Sequence, residues 1–333
     1  MKFLVIGLGS MGKRRIRNLH ALGQKYIAGF DPRQDRRDEA NNKYKIDTYS
    51  SYEEALFKFS PDVLIISTSP NLHMDYAIPA VEKGLHCFIE ASVVEEDRIR
   101  QLCEKLRDTN LVISPSCTMR YYPAVKKISE ILKSNDIGKP LSINYLTGQF
   151  LPDWHPWEDI NEYYVSHRDT GGAREIVPFE LTWLNEIFGD PVPLACTKDK
   201  LSDMDADIDD IYHCILRYPE NVLASISVEV LSRPLATREL NILGSLGKIS
   251  FSSNEDFVKY IKVGDTDWTK VSLKTGELES GYINPEGHYI DEMKDFLNAV
   301  DKCNRYIFPN TLEKDVKILQ LLNNLDDLSN KII

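Results

Sequence analysis

Cysteine pairs, long apolar runs and concentrated positive charge are all scarce in this chain of 333 residues. The six cysteines are widely spaced, with no CxxC pair and no histidine at metal-ligand distance, so neither a disulfide framework nor a zinc site is indicated. We therefore expect reduced thiols and no bound metal.

No uninterrupted apolar window of about 18 residues occurs, so we expect no transmembrane helix. The opening "MKFLVIGLG" has only a short apolar run ended by glycines, which is unlike a secretory signal peptide. The sequence predicts a cytoplasmic protein with no membrane partner.

The net charge is −11, which argues against a nucleic-acid partner because phosphate binding needs concentrated lysine and arginine. The one basic cluster, Lys13 to Arg15 with Arg17, stands at the start of a predicted helix and does not offset the acidic whole. A small-molecule ligand fits this composition better.

The order of predicted elements changes near residue 119. Up to residue 116, apolar strands such as "KFLVI" and "DVLIIST" alternate with helices such as "SYEEALFKF", capped by Ser51, which predicts a doubly wound parallel sheet. Later strands follow one another across short turns, around an apolar helix in "GGAREIVPFELTWLNEIFG" that we expect to bend or begin near Pro178. The predicted fold class is α/β, with a Rossmann domain at 1–118 and an α+β domain at 119–333 built on a large, mainly antiparallel open sheet.

A glycine motif follows the first predicted strand directly. Gly7, Gly9 and Gly12, with Ser10 and Met11 between them, form GxGxxG at the start of a helix. Gly7 permits a tight turn, Gly9 lets the backbone approach a pyrophosphate, and Gly12 allows close helix-strand packing. This context predicts a dinucleotide site.

Asp31 ends the second strand, 19 residues after Gly12. Its carboxylate would accept hydrogen bonds from ribose hydroxyls and repel a 2′-phosphate, so NAD is favoured as cofactor. Arg33, two residues on, could instead pair with a 2′-phosphate, so NADP stays possible. Arg33, Arg36 and Arg37 could also form a solvated face.

Four segments in order, "GLGSMG", "STSPNLHMDYAIPAVEKGLHCFIE", "MRYYPAVKKISEILKSNDIGKP" and "GGAREIVPFELTWLNEIFG", resemble the Gfo/Idh/MocA oxidoreductases. The resemblance implies hydride transfer between a nicotinamide and a sugar, cyclitol or nucleotide-sugar carbinol. It also implies a second domain that serves substrate binding and homodimer or homotetramer contacts, with the last helices, about 286–333, packing back toward the first domain.

The resemblance also assigns individual positions. The cofactor-lining segment matches Ser67, Thr68, Pro70, Asn71 and His73, and His73 has a structural or cofactor-contacting role there rather than that of a base. Glu90 matches the Glu of the family's Glu-Lys-Pro motif, and Arg120 matches a stretch near the site.

The chain departs from the family at its usual proton-handling groups. Ala91 and Ser92 replace the Lys and Pro of Glu-Lys-Pro. Ile176 and Glu180 stand where the family has an Asp and a His four residues apart on one helix.

Substitutes for these groups are available in residues 153–180. A hydroxyl oxidation needs only one base. We rank Glu180 first because the resemblance implies that its position faces the nicotinamide, and a carboxylate desolvated there could have a raised pKa. His167 is second. The further candidates in this segment are Glu175 and Tyr164 for catalysis, and Trp154, His155, Trp157, Tyr163 and Arg174 for substrate binding. Alternatively, Glu175 and Glu180 pair with Arg174 or Arg120 and only hold the helix.

Three functions stay open at this point. The leading hypothesis is an NAD(P)-dependent oxidoreductase acting on a sugar or nucleotide sugar, for example in surface-glycan biosynthesis. The second is a catalytically silent cofactor- or sugar-binding protein that acts as a regulator or partner. The third is an enzyme that uses tightly bound NAD for transient oxidation during elimination or epimerisation.

Overall fold

A computed structural model describes residues 1–154, 156, 158–273, 279 and 285–331. Within them the strands are β1 (Lys2–Ile6), β2 (Tyr26–Phe30), β3 (Asp47–Tyr49), β4 (Val63–Ile66), β5 (His86–Ile89), β6 (Ile113–Pro115), β7 (Pro140–Gly148), β8 (Val192–Asp199), β9 (Ile211–Tyr218), β10 (Val222–Glu229), β11 (Thr237–Gly244), β12 (Gly247–Ser252), β13 (Phe257–Lys262) and β14 (Thr269–Ser272). The α-helices are α1 (Ser10–Ala21), α2 (Gln34–Tyr44), α3 (Tyr52–Phe59), α4 (His73–Glu82), α5 (Glu96–Leu106), α6 (Pro123–Lys133), α7 (Gly172–Phe188), α8 (Gly287–Asp301) and α9 (Leu312–Asn330).

The chain divides into two compact units. The first contains Met1–Thr118 and Gly276–Lys317, and the second contains Met119–Thr275 and Ile318–Ile333. Each unit has its own sheet, so each is described by itself.

The sheet of the first unit is parallel and doubly wound. Its strand order is β3-β2-β1-β4-β5-β6, and every pairing between these neighbours is parallel. The central strands β1 and β4 are almost wholly buried because helices cover a parallel sheet on both faces. The chain reverses direction across the sheet between β1 and β4, which is where doubly wound sheets bind ligands. The predicted Rossmann architecture is confirmed.

The sheet of the second unit is large and mostly antiparallel. Its strand order is β14-β13-β12-β11-β7-β10-β9-β8, and β7 with β10 is the parallel pair. On β7, Ile143 and Tyr145 are buried while Asn144 between them is exposed, so the alternating pattern of a half-buried strand is present. This confirms the fold class expected for the second half of the chain.

Two local predictions about helices have different outcomes. Ser51 caps α3 as expected, because its side chain accepts a hydrogen bond from the amide of Glu54 at 3.2 Å. We expected the apolar helix to bend or begin near Pro178, and the second alternative is wrong, because α7 begins at Gly172, six residues before Pro178.

No helix within the described ranges is long and apolar enough to cross a membrane. All six cysteines are free thiols, and Cys196 and Cys214 lie opposite each other on β8 and β9 with their sulfurs 3.8 Å apart.

Candidate functional site

The turn between β1 and α1 depends on two of its glycines. Gly7 has φ +86°, and a Cβ there would lie 2.6 Å from the carbonyl oxygen of Ser67. A Cβ on Gly12 would lie 1.8 Å from the carbonyl oxygen of Gly7, so any side chain would push α1 away from β1. These positions therefore require glycine for the fold itself.

Gly9 is different, because within the described part of the chain a Cβ there would meet only the side chain of Arg36, at an ordinary contact distance. The nearest atom to a Cβ at Gly9 is the Arg36 guanidinium nitrogen Nη1, at 3.5 Å. Gly9 is the N-cap of α1, and no acidic side chain occupies the first turn, which contains Ser10 and Met11. An open cradle at a helix N-terminus suits an anion such as a pyrophosphate.

Asp31 joins the second strand to this turn. Its side chain is buried, and its two carboxylate oxygens accept the amides of Leu8 and Arg33, each at 2.8 Å. The carboxylate therefore lies beside the glycine turn, where the ribose of a bound dinucleotide is expected.

The arginines after Asp31 differ in their exposure. Arg33 is exposed, as the solvated face that we considered requires, and its Nη2 lies 2.6 Å from the carboxylate of exposed Asp35. Arg37 is buried instead and donates to the backbone carbonyls of Asp31 and Pro32, each at 2.7 Å. Arg36 is partly exposed and lies 3.9 Å from Asp31.

The segment after β4 forms the opposite side of the turn. The carbonyl of Ser67 faces Gly7, and Pro70 and Asn71 form a short 3₁₀ turn before α4. His73 is buried with Nε2 3.1 Å from the carbonyl of Thr68. Burial lowers the pKa of His73 to about 4, so its neutral ring donates to that carbonyl and holds the segment in place.

Glu90 has a cationic partner that the sequence analysis missed. Arg15 on α1 donates two hydrogen bonds to its carboxylate, at 2.7 and 2.8 Å, and Ser67 donates a third at 3.2 Å. Arg15 is fully buried and also pairs with Glu292 of α8 at 3.0 Å. Burial alone would lower the pKa of Arg15, but Glu90 and Glu292 more than reverse this effect, so Arg15 stays charged.

Ser92, which stands at the family's Pro position, serves the structure of the first unit. Its hydroxyl bonds to Asp315 in the first turn of α9. Asp315 is buried, and burial raises its pKa to about 6. Ala91 carries no charge, so no residue of this motif replaces the family's Lys.

The helix α7 of the second unit begins at two glycines that the fold requires. A Cβ on Gly171 would lie 2.0 Å from the carbonyl oxygen of Val165. Gly172 has φ +62°, and a Cβ there would lie 2.8 Å from the carbonyl oxygen of Asp209. The glycines thus let the preceding loop lie against the start of α7. Thr170 fixes this loop by donating to the carbonyl of Tyr164 at 2.8 Å.

Glu175 and Tyr164 form a hydrogen-bonded pair at this place. The Tyr164 hydroxyl donates to Glu175 Oε1 at 2.7 Å. Glu175 Oε2 is buried and has no hydrogen-bond partner within the described part of the chain. Burial raises the pKa of Glu175 to about 7, and the Tyr164 hydrogen bond limits the rise. A carboxyl group with this pKa exchanges protons near neutral pH.

Tyr164 shares a buried apolar cluster with other aromatic side chains. Trp154, Tyr163 and Tyr164 pack against a buried apolar cluster around Leu151 and Val165. The indole nitrogen of Trp154 is buried and has no partner among the described residues. His155 and Trp157, the other predicted substrate-binding residues in this loop, lie outside the described residues.

Glu180, our first-ranked base, belongs to a buried ion pair. It pairs with Arg238 of β11 at 2.8 Å, and its Oε2 accepts the Tyr145 hydroxyl and the Trp183 indole N–H, each at 2.7 Å. The expected pairing with Arg174 or Arg120 is wrong. Arg238 was missed because its partner is 58 residues away in sequence.

The remaining predicted residues have other partners. His167 is exposed and forms an isolated backbone bridge with Asp207. Arg174 pairs with Asp326 at 3.2 Å. Arg120 belongs to the second unit, where it pairs with Glu186 at 2.5 Å.

A metal centre is not indicated by the described residues, which contain no group of three or more His, Cys, Asp or Glu side chains able to hold an ion. The candidate residues therefore form two groups, each within its own unit. The first unit holds the glycine turn with Asp31, and the second holds the Glu175–Tyr164 pair.

The fold and the glycine turn define a dinucleotide-binding α/β protein. Residues 1–115 match a Gfo/Idh/MocA family model described as an oxidoreductase family with an NAD-binding Rossmann fold, and residues 125–250 match a Gfo/Idh/MocA C-terminal domain. The chain belongs to the Gfo/Idh/MocA oxidoreductase family. The predicted family and the predicted NAD-binding fold are confirmed.

Two relatives illustrate the sequence similarity. A scyllo-inositol 2-dehydrogenase (NAD(+)) of Bacillus subtilis is 27% identical over 41% of this chain and 41% of that protein. A D-xylose 1-dehydrogenase (NADP(+)) of Haloferax volcanii is 26% identical over 46% of this chain and 48% of that protein. The chain thus matches about half the length of these relatives.

Solved structures extend the similarity of fold to nearly the whole chain. Levoglucosan dehydrogenase in complex with NADH has a TM-score of 0.83 at 16% identity, over 99% of this chain and 97% of that chain. A myo-inositol 2-dehydrogenase from Lactobacillus plantarum has a TM-score of 0.81 at 19% identity, with the same coverage. At these identities the likeness concerns the fold.

Proposed function

We propose that this protein is an NAD-dependent oxidoreductase that transfers hydride between a nicotinamide and a hydroxyl or ketone carbon of a sugar-like substrate. Support comes from the family, from the open cradle at Gly9 beside Asp31, and from the names of relatives that act on cyclitols and sugars. The observation that carries the catalytic part is the buried Glu175 carboxyl group, whose pKa burial raises to about 7.

The residues of the first unit fit the cofactor. The backbone around Gly9 and the N-terminus of α1 would hold the pyrophosphate, and Asp31 would accept hydrogen bonds from the ribose. We also assign Ser67, Thr68, Pro70, Asn71 and His73 to the cofactor-side wall. A bound nicotinamide supplies the hydride acceptor for oxidation and the donor for reduction.

Glu175 would handle the proton. In the oxidation direction its carboxylate takes the proton of the substrate hydroxyl while the C–H hydride leaves, so a ketone and a protonated Glu175 result. Tyr164 holds one oxygen of Glu175 by its 2.7 Å hydrogen bond and leaves Oε2 for the substrate. This replaces the assignment of the base to Glu180, whose oxygens are engaged by Arg238, Tyr145 and Trp183.

The aromatic side chains near Glu175 suit a polyhydroxylated ligand. Trp154 and Tyr163 offer ring faces for the apolar side of a sugar and polar groups for its hydroxyls. We keep Trp154 and Tyr163 as substrate-binding candidates, with His155, Trp157 and Arg174 as further ones. A nucleotide-sugar substrate, and with it a role in surface-glycan biosynthesis, is the finer form of this hypothesis.

The test is NADH formation with a panel that comprises myo-inositol, scyllo-inositol, D-xylose, levoglucosan and common nucleotide sugars. For any substrate found, Glu175→Gln should reduce kcat at least about 100-fold while the Kd for NADH changes little, because general-base catalysis contributes about that much. Glu175→Asp keeps the carboxyl group and is the matched control. Unchanged turnover in Glu175→Gln would exclude Glu175 as the base.

A catalytically silent family member is the second candidate. It is favoured by one observation: Ala91 carries no charge where the family has Lys, and Glu180 is held in an ion pair. In that case NADH binds but no member of the panel is oxidised or reduced. Product formed without net NADH would instead support transient oxidation by tightly bound NAD.

A further inference from the structure

Two cysteines of the second unit face each other across neighbouring strands. Cys196 of β8 and Cys214 of β9 are directly opposite in the antiparallel register, which runs without a shift from Ala195 to Asp199. Both side chains are buried, and their sulfurs lie 3.8 Å apart. The two residues are 18 positions apart in sequence, so no local motif indicates the pair.

The register of the two strands suits a disulfide. Residues directly opposite each other in antiparallel strands have Cα atoms about 4.5 or about 5.5 Å apart, depending on whether the pair is hydrogen-bonded. Disulfides bridge Cα atoms that are about 4.4 to 6.8 Å apart. Both strand distances lie within that range, so the sulfurs of Cys196 and Cys214 can reach bonding distance without a change of register.

The two thiols differ in acidity. When Cys196 is ionised, the Cys214 thiol donates a hydrogen bond to it, and this bond lowers the pKa of Cys196 more than burial raises it. The same bond raises the pKa of Cys214, and burial raises it further. Because the thiolate is the form that attacks an oxidant, Cys196 is the nucleophile of the pair and Cys214 is its resolving partner.

An oxidant reaches the pair from the edge of the sheet. The strand β8 is at one end of the strand order, and the last turns of α9 lie along it. The Lys198 amide donates to Ser329 Oγ at 3.1 Å, and the Lys198 ammonium lies 2.8 Å from Asp326. Helix ends fray, and such local opening needs less free energy than the opening of central strands. A small oxidant therefore reaches the sulfurs without global unfolding.

We propose that Cys196 and Cys214 are a modification site, which a hydroperoxide converts reversibly into a disulfide between β8 and β9. The Cys196 thiolate attacks one oxygen of hydrogen peroxide, and the O–O bond breaks. Hydroxide leaves and takes up the thiol proton as water, while Cys196 becomes a sulfenic acid. The Cys214 sulfur then attacks the Cys196 sulfur, and the S–S bond forms as a second water leaves.

The balance of this reaction is two thiols and one peroxide to one disulfide and two waters. The two thiols lose two electrons, which reduce the peroxide. A dithiol such as dithiothreitol returns the pair to the reduced state and is itself oxidised. The reaction needs neither a nicotinamide nor a sugar, so the proposal stands or fails independently of the proposed function.

The experiment treats the full chain with millimolar hydrogen peroxide under native conditions. The remaining thiols are blocked with N-ethylmaleimide in denaturant, and the chain is digested with trypsin without a reductant. Trypsin separates the two cysteines, because Cys196 lies in the peptide 175–198 and Cys214 in the peptide 201–217. Mass spectrometry should detect these peptides joined, two hydrogens lighter than their sum, and dithiothreitol should separate them. The Tm of the oxidised chain should rise by at least about 4 °C, because the disulfide closes the loop between the two strands.

Two variants serve as controls. Cys214→Ser removes the resolving thiol with little change of volume, so the joined peptide and the rise in Tm should both disappear. Cys303→Ser is the matched control, because Cys303 is an exposed thiol outside the pair, and this variant should behave as the wild type does.

Three outcomes would overturn the proposal. In the first, Cys196 and Cys214 of the wild type are recovered as free thiols while exposed Cys303 is oxidised. In the second, the joined peptide forms only in denaturant. In the third, the joined peptide forms under native conditions but the Tm does not rise, which would mean that the disulfide does not fit the folded strands.

Discussion

Two carboxylates of α7, those of Glu175 and Glu180, show that the surroundings of a residue decide which role it can have. Glu180 has a guanidinium, a hydroxyl and an indole N–H around it. Glu175 accepts one hydrogen bond, from the Tyr164 hydroxyl, and its Oε2 has no partner among the described residues. An ion-paired carboxylate holds structure, while a carboxyl group with a pKa near neutral can exchange a proton with a ligand.

The raised pKa of Glu175 predicts a pH dependence of stability. Burial raises this pKa in the folded state to about 7, above the ordinary value of 4.5, so the folded state holds a proton that the unfolded state releases. The contribution of Glu175 to the stability of the folded state is therefore most favourable at low pH and is lost as pH rises through 7. Glu175→Gln should become more stable relative to the wild type by about 2 to 3 kcal/mol between about pH 5 and about pH 8.

Urea unfolding at both pH values measures this difference. Glu180→Gln is the control, because it leaves the Arg238 charge without its carboxylate and should destabilise the protein at both pH values. If the free energy of unfolding of Glu175→Gln differs from that of the wild type by the same amount at both pH values, Glu175 is ionised normally in the folded state.

Among single residues, the sequence indicated those whose partners are near in sequence or belong to the same motif. Gly7, Gly12 and Asp31 have the surroundings that the motif requires. Arg15 and Arg238 were missed because their carboxylate partners are 75 and 58 residues away, and no local pattern indicates such a pair.

At the scale of elements, Arg15 joins α1 to the end of β5 and to α8 within the first unit. Its side chain is wholly buried between Glu90 and Glu292. Arg15→Leu should destabilise the protein by about 3 to 5 kcal/mol, because it leaves two buried carboxylates without their cation. Denaturant unfolding tests this.

The control for Arg15 lies on the same helix. Lys13 pairs with half-exposed Glu39, so Lys13→Ala should cost at most about 1 kcal/mol. Equal effects of the two substitutions would show that the buried network does not stabilise the unit.

The glycine turn offers a comparison between folding and binding. Gly12→Ala should unfold or strongly destabilise the protein, because its Cβ would overlap the Gly7 carbonyl. Gly9→Ala should keep the Tm, since its Cβ would make only an ordinary contact with the Arg36 side chain at 3.5 Å, yet weaken NADH binding at least about tenfold by filling the cradle. Thermal melting and NADH titration separate the two effects, and unaltered NADH binding in Gly9→Ala would place the pyrophosphate elsewhere.

Elements with a clear apolar period were predictable, and others were not. The helix α2, "QDRRDEANNKY", is polar on every side and buries only Arg37 and Ala40, so it gave no periodic signal. The strand β8 contains Pro193 and a register shift after it, which hid its alternation. Pro178 suggested a helix start because proline is common at the first position of helices, whereas α7 contains it in its interior.

At the scale of the whole molecule, the fold class and the family were accessible because strand-helix alternation and the glycine motif span many residues. The domain assignment of 1–118 and 119–333, the packing of the last helices toward the first domain, the oligomeric state and the cytoplasmic location stay predictions. Alignment transfers a position, which is why Glu180 was ranked first, whereas our proposal of Glu175 rests on the partners of each carboxylate.

The central claim, that Glu175 handles the proton of an NAD-linked oxidation, is tested most directly by the pH dependence of kcat/KM for NADH formation. In the wild type we expect the rate to rise with pH to a plateau above about 7, because only ionised Glu175 accepts a proton. Tyr164→Phe removes the hydrogen bond that lowers the pKa of Glu175, so the rise should move to higher pH. A rise that stays at the same pH in Tyr164→Phe and persists in Glu175→Gln would contradict the claim.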